Sequence, residues 1–191
     1  MKQQYKNYTT EHQQVWQLLF ERQMKQLDKM ATIEFLNGLE KIAFNANAIP
    51  NFNQTNKLLQ ALTGWQVYAV PGIVDDGLFF DLMSDKNFPA TTWVRKMSEL
   101  DYLEEPDMFH DVFAHVPMLT NPDFAQFLQE LSKLGKEWLG NEKAIQLLTR
   151  IYWYTAEFGL INENNSLKIY GAGILSSFGE SKYSLSNKPK H

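Results

Sequence analysis

The sequence predicts a mainly α-helical protein with short β elements. Apolar residues recur at helical spacing over several long stretches, whereas the alternation typical of a strand is confined to short segments. No Pro/Ser-rich linker, repeat or low-complexity tract divides the 191 residues, a length that one hydrophobic core can organise. These observations favour one mostly helical domain with small β pieces.

The N-terminal half contains three predicted helices and a short strand. Apolar residues such as Val15, Leu19 and Leu27 share one face of the first helix, and Thr10 is its predicted N-cap. WQVYAVPGIV alternates and is β-branched, which predicts a strand that ends at Pro71-Gly72. The predicted order is helix over 10–46 with a break near 28–32, helix over 54–62, this strand, helix over 75–86 and extended chain over 88–95.

The C-terminal half is predicted to be helical up to residue 158. Glu104-Glu105-Pro106 favours a helix start, and Pro117 limits that helix near Val116. Two further helices are predicted over 121–138 and 141–158. The remainder predicts a short strand, a glycine-mediated turn and a final helix.

Composition excludes several classes of function. The net charge is −4 with no basic run, which argues against nucleic acid as a partner. No apolar run approaches the ~20 residues of a membrane span, and the polar N-terminus does not resemble a signal peptide, so a cytoplasmic protein is expected. The absence of cysteine excludes disulfides and thiolate sites, which leaves His, Asp and Glu as metal ligands.

The segment EPDMFHDVFAHVPML holds two of the four histidines, His110 and His115, five positions apart. On an ideal α-helix a step of five places two side chains about 140° apart, so the spacing alone does not predict a metal site. His110 lies near the start of the predicted helix and His115 near its end, where the helix need not be ideal. Asp107, one turn earlier, is expected to orient the His110 ring. These residues leave a structural pair and a metal-binding pair both open.

A third candidate ligand, Glu157, lies among aromatic residues in IYWYTAEFGL. Burying a lone carboxylate among rings is costly unless it is paired, protonated or bound to metal. Two histidines and one carboxylate form the facial triad of non-haem Fe(II) oxygenases, and the same set also suits a zinc hydrolase. A helix that turns Glu157 toward solvent is the remaining alternative.

Four motifs in this order resemble the pterin-dependent aromatic amino acid hydroxylases: LTGWQVYAVPGIV, FPATTWVRKMSELDYLEEPDMFHDVFAHVPML, IYWYTAEFGL and YGAGILSSFGES. The resemblance runs from about residue 12 to the end and is greatest to the short bacterial phenylalanine 4-hydroxylases. It implies the fold of that family over a single catalytic domain, residues 1–191. No regulatory domain is expected ahead of it, and the C-terminal part of the usual family domain is expected to be absent.

The resemblance implies Fe(II) and a tetrahydropterin, similar to tetrahydrobiopterin, as cofactors, with O2 as cosubstrate. Three iron ligands and two further residues of the iron site fall on His110, His115, Glu157, Asp111 and Tyr152. The pterin is expected to lie against a loop and an aromatic ring, which fall on Gly72, Ile73, Val74, Asp76 and Phe79.

The resemblance also implies an amino acid pocket, whose residues fall on Arg95, Trp153, Gly173 and Ser176. A planar guanidinium suits a two-oxygen grip on the substrate carboxylate, which makes Arg95 the expected anchor. Trp153 is expected to pack on the substrate ring. Taken singly, each of these residues is equally well explained by packing, and it is their joint match that indicates a site.

The implied activity is a phenylalanine 4-monooxygenase reaction that converts L-phenylalanine to L-tyrosine, a step of phenylalanine catabolism. Tryptophan or tyrosine as substrate remains open, as does a pterin- or amino-acid-binding relative without turnover. No nucleic acid or membrane partner is expected, and a monomer is favoured. Ala114 departs from the family pattern, in which a glycine usually precedes the second histidine.

Overall fold

Helices dominate the architecture, as the sequence predicts, and β structure is confined to two small sheets of two strands each within the described residues. The computed structural model describes residues 1–101 and 103–189, so the predicted domain 1–191 extends beyond the described part by two residues. Within those ranges, no helix combines the length and apolar character needed to cross a bilayer.

Three α-helices open the chain: α1 (Thr10–Met30), α2 (Ile33–Lys41) and α3 (Phe52–Leu62). The predicted break near 28–32 separates α1 from α2. The predicted cap of α1 was wrong by one residue, because Thr9 and not Thr10 caps it. The Thr9 hydroxyl accepts from the His12 N–H, and the Thr9 N–H donates to the His12 ring. This reciprocal pair satisfies two backbone donors at the helix start.

A parallel strand pair follows, formed by β1 (Gln66–Val70) and β2 (Asn87–Thr91). Parallel strands require a crossover connection, and α4 (Asp76–Ser84) provides it. The carboxyl ends of both strands therefore lie at the same edge of the sheet. The loop after β1 and the chain after β2 start from this edge, which places them side by side.

Two segments predicted as α-helix are π-helices, one at Phe109–His115 and one at Trp153–Glu157. The first starts later than the predicted Glu104, because the Asp107 carboxylate accepts from the N–H groups of Phe109 and His110. A π-helix closes i→i+5 hydrogen bonds, so residues five apart lie one turn apart on the same side. The spacing that is unsuitable for an α-helix therefore suits this segment.

The remaining elements of the described residues are 3-10 helices at Tyr5–Asn7, Met97–Glu99 and Val116–Thr120, α5 (Pro122–Glu137), α6 (Glu142–Tyr152), β3 (Leu160–Glu163), β4 (Ser166–Ile169), α7 (Ala172–Leu175) and α8 (Phe178–Ser184). The sequence did not predict β3, which pairs antiparallel with β4. Asn164 and Asn165 have positive φ at the turn between them, a conformation that asparagine tolerates. The second π-helix continues directly from α6.

An aromatic core fixes the first π-helix from behind. Phe109 and Phe113 stack on each other with ring centroids 4.4 Å apart. Trp16 from α1 meets the edge of Phe109 at 5.5 Å, and Phe35 from α2 meets Phe113 at 5.7 Å. Because these rings hold one side of the π-helix in the core, the histidines are presented on another side.

Candidate active site

The two π-helices bring three potential metal ligands together. His110 and His115 come from the first and Glu157 ends the second, and one ligand atom from each lies within 4.8 Å of the other two. The Nε2 atoms of His110 and His115 lie 3.5 Å and 3.2 Å from the two Glu157 carboxylate oxygens. The histidine rings are nearly perpendicular, with centroids 5.0 Å apart. The structure therefore places the histidine pair and the carboxylate predicted from sequence around one point.

Hydrogen bonding favours one tautomer of His110. The Ser176 hydroxyl lies 2.9 Å from both the Ala172 carbonyl and His110 Nδ1, and because the carbonyl can only accept, a hydroxyl that donates to it accepts from Nδ1. The proton of the neutral ring is then on Nδ1, and Nε2 presents a lone pair toward Glu157. Two electron-rich atoms that face each other are well suited to a shared cation.

The ionisation of these groups also suits a cation. Burial lowers the pKa of His110 to about 4, although the Glu157 charge opposes this, so the ring is neutral near pH 7. Burial would raise the pKa of Glu157, but the hydrogen bond from His115 and the positive charge that the two histidines carry when protonated outweigh it, and the pKa lies below its usual value. Neutral imidazole and ionised carboxylate are the forms that bind metal.

Gly173 makes room for the Glu157 side chain. A Cβ at Gly173 would lie 2.6 Å from Glu157 Oε1 and 2.9 Å from the Phe158 ring, closer than real Cβ atoms approach their neighbours. The absence of a side chain therefore allows the carboxylate to occupy this position. From the sequence, Gly173 was expected to border the amino acid pocket. In the structure it lies directly against Glu157, the candidate metal ligand.

Arg95 forms a buried ion pair with Asp107, the residue that was predicted from the sequence to orient the His110 ring. Its Nε and Nη2 donate to the two carboxylate oxygens of Asp107 at 2.9 and 2.8 Å, and both residues are buried. The expectation that Asp107 orients the His110 ring was therefore wrong, because Ser176 holds that ring. Among residues 1–101 and 103–189, the Nη1 atom has only a long contact, 3.4 Å, to the Leu100 carbonyl. This edge of the guanidinium remains available to a ligand.

All fourteen residues that the sequence analysis proposed line one cavity of about 980 Å³. The loop after β1 supplies Gly72, Ile73 and Val74, and α4 supplies Asp76 and Phe79. The chain after β2 supplies Arg95, and the two π-helices and α7 with its C-cap supply most of the rest. The volume is within the range of pockets that enclose a small molecule.

Aromatic rings and a buried acid line the wall beside the metal-ligand candidates. Phe79 meets the Tyr152 ring edge-on at 5.3 Å. Burial raises the pKa of Tyr152 well above 10, so its hydroxyl stays protonated. Burial also raises the pKa of Asp111, to about 6, although its carboxylate accepts from the Thr91 N–H at 2.7 Å. The wall thus combines flat apolar surface with a carboxyl group that takes part in hydrogen bonding.

The structure also shows the surroundings of Trp153, a predicted substrate contact, and of Ala114, which departs from the family pattern. Trp153 is 49% exposed and stacks on Phe158 with ring centroids 5.1 Å apart, so it forms part of the rim of the cavity. Ala114 is fully buried within the first π-helix. Its φ is not positive, so the backbone there does not require glycine.

Sequence reasoning missed the roles of Asp107, Thr91 and Ser176 as supports of other side chains. Asp107 lies twelve residues from Arg95, and neither helical nor strand periodicity predicts a contact at that separation. Ser176 is 66 residues from His110. A pairing at such distances has no signal in a single sequence, because it arises only from tertiary packing.

The chain resembles known proteins in both sequence and structure. The family model of the biopterin-dependent aromatic amino acid hydroxylases matches residues 3–191. Phenylalanine-4-hydroxylase of Chromobacterium violaceum is 48% identical over 180 residues, which are 93% of this chain and 60% of that protein. The chain thus spans about 60% of the length of the first curated relatives it matches.

Solved structures of phenylalanine hydroxylase from the same organism have the same fold. One, with bound iron(III) and 7,8-dihydrobiopterin, matches with a TM-score of 0.94 at 46% identity over 98% of this chain and 68% of that one. Another, with bound iron and phenylalanine, matches with a TM-score of 0.92 at 44% identity over 99% of this chain and 68% of that one. The predicted fold class is confirmed.

Proposed function

Because the chain belongs to the biopterin-dependent aromatic amino acid hydroxylase family, we propose that it is an Fe(II)- and tetrahydropterin-dependent monooxygenase that converts L-phenylalanine to L-tyrosine with O2. The observation that carries the proposal is the convergence of His110, His115 and Glu157 on one point inside the large cavity. The curated relatives and solved structures of phenylalanine hydroxylase favour phenylalanine over tryptophan or tyrosine as the substrate.

The donor set fits Fe(II). Two neutral imidazoles and one carboxylate form a facial triad and leave coordination positions open toward the cavity. In our proposal His110, His115 and Glu157 hold the metal, and Ser176 and Gly173 keep two of these side chains in place. When bound, Fe(II) and a tetrahydropterin together activate O2 for insertion of one oxygen atom into an aromatic ring.

The chain's own contribution is to bind and orient. Phe79 offers a ring face for the pterin, with the Tyr152 ring edge-on to it, next to the loop Gly72–Val74 and near Asp76. The Asp111 carboxylate, fixed by the Thr91 N–H, can accept a hydrogen bond from the pterin or from ordered water. The enclosed aromatic surface also limits access of bulk water to the reacting atoms.

The substrate would be held by its carboxylate and its ring. The Nη1 atom of Arg95 can donate to the substrate carboxylate. The two hydrogen bonds from Nε and Nη2 to Asp107 hold the guanidinium in a fixed plane. Trp153 lies at the rim, where it can pack against the aromatic ring.

We further propose that residues 1–191 act as a single catalytic domain, with a small-molecule partner only, in a monomeric and cytoplasmic protein.

The proposal is tested by product formation. The purified chain is loaded with Fe(II), supplied with a reduced pterin and O2, and assayed for tyrosine formed from phenylalanine. Equimolar phenylalanine, tryptophan and tyrosine in one reaction identify the preferred ring. No hydroxylated product from folded, iron-loaded protein would contradict the proposal, and product from only tryptophan or tyrosine would correct the substrate.

A ligand variant tests the metal site separately. Glu157→Ala should abolish hydroxylation and weaken Fe(II) binding, because it removes the only anionic donor of the set. The matched control is Glu40→Ala, since Glu40 is exposed on α2 and distant from the cavity lining. Fe(II) binding that is equal in both variants would remove Glu157 as a ligand.

A further inference from the structure

A second groove lies between α1 and α8, with a volume of about 670 Å³. Cationic and apolar side chains share its walls. The residues are Leu18, Glu21, Arg22, Lys25, Gln26, Leu100, Phe178 and Lys182. None of them belongs to the proposed metal, pterin or substrate set.

The groove is positively charged in a protein of net charge −4. Arg22 and Lys25 lie one turn apart on α1, and Lys182 faces them from α8. The one acid in the lining, Glu21, accepts a hydrogen bond from Gln17 and forms no ion pair among the described residues. Lys25 and Lys182 likewise form no ion pair within residues 1–101 and 103–189. Two cations are therefore available to an anionic ligand.

The third cation can change partners at little cost. Arg22 donates to Asp101 at 2.6 Å and to the Leu100 carbonyl at 2.9 Å, but the Asp101 side chain is 91% exposed. An ion pair so open to water is screened and contributes little to stability. A ligand carboxylate in the groove can thus replace Asp101 as the partner of Arg22.

Phe178 provides an apolar surface between two of these cations. The Arg22 guanidinium carbon lies 5.4 Å and the Lys182 Nζ 4.0 Å from the centre of its ring. The two cationic centres are therefore at most about 9.4 Å apart, a span that a flexible lysine can shorten. Leu18 and Leu100 add apolar surface to the lining of the groove.

We propose that this groove is a second binding site, which takes a small carboxylate with an aromatic or apolar body. The carboxylate lies among Arg22, Lys25 and Lys182, and the body packs on Phe178. Three of the lining residues, Arg22, Leu100 and Phe178, also line the large cavity, so the groove adjoins the mouth of the candidate active site. A positive groove at that position raises the local concentration of anionic ligands.

The test measures binding directly and requires no turnover. 3-Phenylpropionate is titrated into the ¹⁵N-labelled chain, and the amide signals of residues 25 and 182 are followed by NMR. Phenethylamine, which has the same ring but a cationic group in place of the carboxylate, is the ligand control. We expect saturable shifts at both amides with 3-phenylpropionate and none with phenethylamine.

Paired variants locate the site. Lys25→Gln/Lys182→Gln should raise the dissociation constant followed at these amides about tenfold, because two charge-assisted contacts are lost. Lys41→Gln/Lys57→Gln removes the same charge from exposed positions on α2 and α3 and should change it less than about twofold. Since all four lysines lie outside the buried core, the variants should fold, which thermal unfolding checks.

Three results would overturn the proposal: no saturable shift at residues 25 and 182, equal shifts with phenethylamine, or equal weakening in both double variants. Because the titration uses no iron, pterin or O2, its result is independent of hydroxylation. An active hydroxylase without this binding refutes the groove alone, and groove binding in an inactive chain leaves this proposal standing.

Discussion

Gly173→Ala should weaken Fe(II) binding without unfolding the protein. The added Cβ would lie 2.6 Å from Glu157 Oε1, about 0.8 Å inside the 3.4 Å at which ordinary contacts begin. The flexible end of the carboxylate can move by that distance, but ligand positions in metal sites are held to within about 0.2 Å. The displaced oxygen should therefore coordinate poorly.

The expected loss is about 10- to 100-fold in Fe(II) affinity, or about 1.4–2.8 kcal/mol, the range seen when support of a metal ligand is removed. Alanine favours helix over glycine by roughly 0.5–1 kcal/mol, which offsets part of the steric cost in α7, so the melting temperature should change little. Fe(II) affinity is measured anaerobically by competition with a chelator, and stability by thermal unfolding.

Gly179→Ala is the matched control, because a Cβ there meets no atom within 4 Å. It should bind Fe(II) as the unmodified chain does. If Gly173→Ala also binds Fe(II) within about twofold of the unmodified chain, the carboxylate is not held against Gly173, and the steric argument fails.

Three further substitutions test the supports of the site. Ser176→Ala removes the acceptor for His110 Nδ1 and should lower Fe(II) affinity about 10- to 100-fold in the same chelator assay, and Ser176→Thr should restore most of it. Asp107→Asn leaves Arg95 buried without its anionic partner and should cost about 3–5 kcal/mol in urea unfolding, so a loss below about 1 kcal/mol would contradict a buried ion pair. Gly38→Ala places a Cβ against the Pro117 carbonyl of the 3-10 helix and should cost about 1–3 kcal/mol, with an unchanged urea midpoint as the contrary result.

The order and type of most elements could be predicted from the sequence. Helical periodicity identified α1 to α6, although α2 ends at Lys41 and not at 46, and α6 gives way to a π-helix after Tyr152; β-branched alternation before Pro71-Gly72 identified β1. Such patterns are local, since they reflect which side of one element is buried. The strand β3 was missed, because its burial is only partial and its pairing partner β4 lies beyond a tight turn.

The candidate site was predicted as a set of residues, but its geometry was not. The histidine spacing argued against a metal site as long as the segment was taken for an α-helix, and the π-helix removes that objection. The choice between the two helix types depends on how Phe109 and Phe113 pack against α1 and α2, which one sequence does not reveal. The supports provided by Asp107 and Ser176 depend on contacts between distant segments in the same way.

The π-helix at Phe109–His115 makes the length of this segment as critical as the identity of its residues. Removing one residue between the histidines would set them four apart, and an α-helix presents such a pair on one side as well. The histidines would then still align with each other. However, every residue after the deletion would be rotated by about 100° and displaced by about 1.5 Å relative to those before it. Val116–Thr120 would lose its contact with α2, so we expect a single-residue deletion in this segment to prevent correct folding.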